Sequence, residues 1–184
     1  MVSAMEKFPE AGLGMCSFSE EGSPFPKQIS PRDSYYQNFF GRDLFGRAPG
    51  SVIFRRATFE DVGGFSGKRQ VGDHELWLKM AHKYSVVKLP RDLVWGRAHE
   101  QKESHRDDVI EKERMHLEVR MNALASDECP LSESERKRAV ERLHKNYSRM
   151  FLRELSRCRF RNAIGAAALM RMTKSSTRSS TKTN

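Results

Sequence analysis

The chain carries only three cysteines, Cys16, Cys129 and Cys158, in 184 residues. An odd number at wide spacing gives neither a disulfide framework nor a zinc signature, and a reducing compartment is the expectation. Long apolar runs are also missing. The longest near-apolar stretch, Ile164 to Met170, is interrupted by Gly165, whereas a bilayer span needs about 20 residues. Val2, Ser3 and Ala4 are followed closely by Glu6 and Lys7, so the opening residues contain no signal-peptide core. The expected location is the cytoplasm, at most peripheral at the inner face of a membrane.

What is abundant is positive charge, and it is unevenly spread. Residues 136–184 hold 14 Lys and Arg against 2 acids, a local net of +12, while residues 1–135 come to −3. The first part reads as a soluble body and the last quarter as a basic attachment. Val140, Leu143, Tyr147, Met150, Phe151 and Leu155 keep one apolar stripe at helical spacing, with Arg and Lys opposite. That pattern fits a helix lying on anionic lipid. Charge alone would also suit nucleic acid, but no recognised binding motif accompanies it, so lipid ranks above nucleic acid. Residues 173–184 are polar, basic and of low complexity, and are expected to be disordered.

Local patterns organise the rest. A short strand is expected near Leu13–Phe18. Residues 33–46 carry five aromatics, which suit an amphipathic helix or an aromatic-lined loop. The β-branched run Ser51–Phe54 reads as a buried strand. Thr58 and Asp61 frame a short helix, with Gly63–Gly64 as its C-terminal cap. Asp73 opens the clearest helix, in which Leu76, Met80 and Tyr84 share a face and acids occupy the first turn. Ser85–Leu89 and Leu93–His99 read as strands around a Pro90–Asp92 turn. Further on, Ser104 with Asp107 resembles a cap for a charged helix running to about Ala125. Asp127–Pro130 breaks that helix, and Ser132 with Glu135 starts another. The organisation is an α/β domain over residues 1–104, a helical extension over 105–172 and the tail 173–184.

Four of these features occur together in order: SVIFRR (Ser51–Arg56), FEDVGGF (Phe59–Phe65), GDHELWLKMA (Gly72–Ala81) and GRAHEQKES (Gly96–Ser104). In that order the block Pro49–Ser104 resembles the acceptor-side, C-terminal half of family 2-type glycosyltransferases with the GT-A fold. Met5–Phe18 is similar to the piece that follows the nucleotide-binding half. The resemblance implies a partial GT-A α/β fold and sugar transfer from a nucleotide-sugar donor to a hydroxyl on a carbohydrate or lipid-linked acceptor, with inversion and a divalent cation, Mg²⁺ or Mn²⁺. It also implies site residues. Asp73 falls on the second residue of the family's Glu-Asp pair, with Gly72 replacing the first, and would be the base that takes the acceptor's proton. His99 would approach the metal, and Arg97 would pair with diphosphate oxygens. Trp77, Trp95, Tyr35, Tyr36, Phe39 and Phe40 are candidate sugar-stacking groups, although Trp77 and Trp95 also read as core residues. His74, His82, His105, His116 and His144 read as surface residues.

The departures from the family pattern carry as much weight. No Asp-x-Asp occurs anywhere in the chain, and residues 1–50 are too few for nucleotide-binding strand–helix repeats. The expectation is a chain that looks truncated and is inactive alone. The rival expectation is a non-catalytic binding remnant that uses the aromatic segment and basic tail to hold a partner or an anionic membrane.

Overall fold

A computed structural model of the chain describes residues 1–16, 24–91, 93–94 and 108–179. The chain divides into two compact units. The first is Met1–Arg106 with Asp127–Pro130, and the second is Asp107–Ser126 with Leu131–Asn184.

The first unit is mixed α/β. Its elements are α1 (Val2–Glu6), β1 (Ala11–Cys16), β2 (Lys27–Ile29), α2 (Pro31–Phe40), a single 3₁₀ turn (Pro49–Ser51), β3 (Val52–Phe54), α3 (Arg56–Asp61), α4 (Gly72–Lys83) and β4 (Ser85–Leu89). The four strands form one sheet in the order β2-β4-β1-β3. Only β1 and β4 are parallel, with Ala11 opposite Ser85 and Cys16 opposite Leu89; β2 and β3 are antiparallel to their neighbours. Every residue of β1 is buried, as an inner strand covered on both faces should be.

Glycines in β1 make room for what lies against it. A β-carbon on Gly12 would come within 2.6 Å of the Tyr84 β-carbon, and one on Gly14 within 2.8 Å of the Met5 sulfur. Arg55 then ties three segments together. Its Nε donates to the Ala11 carbonyl at 3.0 Å, and its Nη2 donates to those of Met5 at 2.8 Å and Phe8 at 3.3 Å. Of the paired basic residues at the end of the SVIFRR motif, Arg55 is therefore a scaffold residue. Arg56 is exposed and pairs with Glu60 one turn on.

Helix ends follow the local chemistry. Ser30 caps α2 by accepting from the Asp33 N–H, and Pro31 opens the helix where no N–H is needed. At the end of α3, the Gly63 N–H reaches the Glu60 carbonyl and the Gly64 N–H the Phe59 carbonyl, with φ of 78° and 63°. That is the paired C-terminal closure expected of Gly63–Gly64. Phe65 completes it by packing edge-on against Phe59 at 5.6 Å.

Two helical expectations change in detail. Residues 31–40 are indeed a helix, but Tyr35 and Phe39 turn inward while Tyr36 is exposed. Helix α4 is buried on nearly all sides, including His74 at 2% exposure. His74 is therefore not a surface residue, because both faces of α4 are covered and only Asp73, Glu75 and Lys79 between Gly72 and Ala81 retain partial access.

The second unit is helical: α5 (Val109–Ala125), α6 (Glu133–Ser156) and α7 (Phe160–Ser179). Helix α5 starts from Asp108, whose Oδ1 accepts from the Ile110 N–H at 2.9 Å. The expected cap at Ser104 and Asp107 lies outside the described residues. Ser132 and Glu135 form a reciprocal capping box for α6. Val140, Leu143 and Tyr147 of the expected stripe are buried, so this part of the stripe packs inside the unit rather than facing a membrane. Gly165 lets α7 approach α5 closely; a β-carbon there would meet Ile110 at 2.5 Å. Helix α7 continues to Ser179, past the start of the segment expected to be disordered, because Ala166, Leu169 and Thr173 continue its buried face. Among the described residues no helix is long and apolar enough to cross a membrane.

Helix α6 closes as α3 does, with the Cys158 N–H on Leu155 and the Arg159 N–H on Glu154, but Cys158 takes the left-handed position at φ 53°. Glycine suits that position better. Cys158→Gly is expected to stabilise the second unit by about 1 kcal/mol, read as a higher urea midpoint at unchanged slope. Arg55→Ala should cost about 2–3 kcal/mol by the same measurement, since three carbonyls lose a charged donor. Arg55→Lys should recover only part of that, because an ammonium lacks the forked geometry.

Candidate functional site

Helix α4 is followed by its C-cap Tyr84, which lies beside Gly12 at the amino end of β1. It packs along the sheet and is about 18 Å long at 1.5 Å per residue. Its first turn, with Asp73, therefore lies toward the carboxyl ends of β1 and β4. In α/β sheets, the carboxyl edge of the parallel strands is where ligands are bound.

Asp73 is partly accessible. Its Oδ1 accepts from the His74 backbone N–H at 2.7 Å, and among the described residues the carboxylate takes part in no ion pair. Glu75, two residues on, is committed elsewhere. It accepts from Lys68 Nζ at 2.8 Å and from the Ser66 hydroxyl. Those bonds tether the loop between α3 and α4, which needs two further left-handed residues, Gly67 at φ 79° and Gln70 at φ 64°. Burial works to raise the Glu75 carboxyl, and the bonds from Lys68 and Ser66 overcome it, so the group titrates below its ordinary value. Of the two acids in the first turn, Glu75 holds the loop and Asp73 stays outside that tether.

One turn along α4 from Asp73, Trp77 is fully buried and its Nε1 donates to the Arg47 carbonyl at 2.9 Å. Its ring meets Phe54 at 5.9 Å and Phe65 at 6.4 Å. Trp77 is thus core, which removes it from the sugar-stacking candidates. Tyr35 and Phe39 leave that set for the same reason, with the Tyr35 hydroxyl donating to the Leu78 carbonyl at 3.0 Å. Burial pushes the Tyr35 phenol far above its usual range. Tyr36 and Phe40 stay on the outer side of α2 with ring centroids 4.7 Å apart. Trp95, Arg97 and His99 lie outside the described residues, as does most of the expected strand Leu93–His99.

Sequence patterning missed Arg47. It sits in the loop after α2, held by Asp43 and Asn38. Asn38 Oδ1 accepts from the Leu44 and Phe45 N–H groups at 3.1 Å each, and Asp43 Oδ1 accepts from the Gly46 N–H at 3.0 Å. Partial burial lowers the Arg47 pKa, opposed by Asp43 and Cys16. Its charge therefore acts on Cys16, the last residue of β1. A cation at the carboxyl edge of the parallel pair is suited to an anionic group. No motif marks it, because its position depends on the loop's side-chain bonds.

His99, the residue expected to approach the divalent cation, lies outside the described residues. No group of three His, Cys, Asp or Glu side chains suited to a metal occurs among the described residues, and no step is derived through one.

The Glu75 tether has a definite pH dependence. A carboxyl whose pKa is lowered by folding contributes stability above its ordinary value of 4.5, and that contribution is lost as pH falls through the lower folded value. Glu75→Gln should cost about 1 kcal/mol at neutral pH, modest because Lys68 is half exposed. It should also make the acid limb of the stability profile shallower. Urea unfolding from about pH 6 to pH 3 measures both, across the range in which carboxyls titrate. No protein-family model and no curated protein matches the chain.

Proposed function

We propose that this chain is the acceptor-side part of an inverting, family 2-type glycosyltransferase with the GT-A fold. The observation that carries the proposal is the position of Asp73. It lies in the first turn of α4, on the carboxyl side of the only parallel strand pair among the described residues, with its carboxylate outside any ion pair there. Support comes from the four ordered motifs around it and from the tether that occupies Glu75.

In this reading Asp73 accepts the proton of an acceptor hydroxyl as the oxygen attacks the anomeric carbon. An alcohol is a weak nucleophile, and a positioned carboxylate removes its proton as the new C–O bond forms. One base and one displacement invert the anomeric centre. Arg97 and His99 remain candidates for the diphosphate and its cation. The 184 residues contain no Asp-x-Asp, so carboxylates for a donor-bound metal would come from outside this sequence.

A transfer assay with UDP- and GDP-sugars and Mn²⁺ tests the division of labour. The chain alone should show negligible donor turnover. In a polypeptide context that supports transfer, Asp73→Asn should lower kcat about 100-fold or more with little change in donor KM. Transfer that survives Asp73→Asn would remove the base from Asp73.

A further inference from the structure

Apart from Val109 at the start of α5, the exposed large apolar side chains of the helical unit fall in one stretch of the chain. Leu152 is 63% exposed, Leu155 37%, Phe160 63% and Ile164 72%. All four lie around the turn that joins α6 to α7. They are not part of the buried stripe, because Val140, Leu143 and Tyr147 supply α6's contribution to the core and Ala163, Ala166 and Leu169 supply α7's.

The charges carried by this stretch of the chain are nearly all positive. Arg149, Arg153, Arg157, Arg159 and Arg161 fall within the same stretch, and Glu154 is its single acid. Glu154 is buried and occupied, accepting from Asn162 Nδ2 at 3.3 Å and Arg153 Nε at 3.3 Å, with Arg159 at 3.8 Å. Arg161 is 90% exposed even while bonded to Asp108 at 3.1 Å, and Arg153 and Arg159 are more than half exposed.

We infer that the α6–α7 turn is a membrane-docking tip. It places Leu152, Leu155, Phe160 and Ile164 at the acyl boundary of a bilayer whose anionic head groups bind the surrounding arginines. Complementarity decides the occupant. Aliphatic and aromatic side chains interleaved with guanidiniums match a surface that is apolar beneath and phosphate-rich above. Arginine stems run along apolar surface while their heads stay at the phosphate level. Nucleic acid would engage the arginines and leave the four apolar groups in water. The inference does not rest on the glycosyltransferase reading.

Co-sedimentation of the full chain with vesicles tests it, comparing phosphatidylcholine alone with phosphatidylcholine mixed with phosphatidylserine. The chain should pellet with the mixed vesicles and stay in solution with the neutral ones. Phe160→Ser combined with Ile164→Ser should lower the partition coefficient about tenfold, and Arg157→Gln, Arg159→Gln and Arg161→Gln together by tenfold or more. Far-UV circular dichroism should be unchanged in the Phe160/Ile164 variant, because both side chains are exposed. Equal pelleting on neutral and anionic vesicles overturns the proposal. So does loss confined to the arginine variant, which would mean adsorption by charge without insertion. Self-association abolished by the Phe160/Ile164 variant, with no vesicle binding by the parent chain, would assign the patch to a second copy and also overturn it.

Discussion

Tyr84 lies so close to the backbone of Gly12 that a β-carbon on the glycine would come within 2.6 Å of the tyrosine's own. This contact brings the end of α4 against the start of β1, and β4 begins one residue later. The register follows, with Ala11 opposite Ser85 and Cys16 opposite Leu89. With α4 held at its C-cap, its first turn lies about 18 Å away along the helix. The placement of Asp73 is thus set by packing at the opposite end of its own helix. Arg55 reinforces the same corner from β3, where it donates to the carbonyls of Met5, Phe8 and Ala11.

Much of this layout was legible in the sequence because it rests on local chemistry. Gly63–Gly64 could be read as a helix stop because two consecutive left-handed residues are easiest for glycine. The Ser132–Glu135 box and the β-branched strand before Arg55 were similarly self-contained. The acid-rich opening of α4 was legible, and Asp73 with it. Other features depend on residues far apart in the chain. Nothing near His74 signals that α4 is covered on both faces. Nothing near Arg47 signals that Asn38 and Asp43 would fold its loop toward the end of β1. The basic stripe of residues 140–155 had the pattern of an interfacial helix, yet much of its apolar side is spent on α7 and α5. The exposed apolar groups fall in the last turns of α6, where Leu155 ends the stripe, and in the first turns of α7.

The first turn of α4 shows how similar residues acquire different roles. Asp73 and Glu75 are both acids near a helix N-terminus, where the dipole favours negative charge. Glu75 is long enough to reach Ser66 and Lys68 and becomes a tether. Asp73 is shorter and bonds back to its own helix, which leaves its carboxylate outside the tether. Separating a structural acid from an available one within a single turn is a useful arrangement for any chemistry that needs one positioned base.

The parallel pairing of β1 with β4 also has a consequence for the order of folding. The two partners are separated by β2, α2, β3, α3 and α4, so β1 is made well before its parallel neighbour. Closing that loop must precede any gain from burying β1. The α6–α7 hairpin joins neighbours in sequence and meets no such delay. During synthesis the glycine-bearing segment Ala11–Cys16 therefore waits with unpaired backbone on its β4 edge, and this interval is where it is most open to mispairing with other strands.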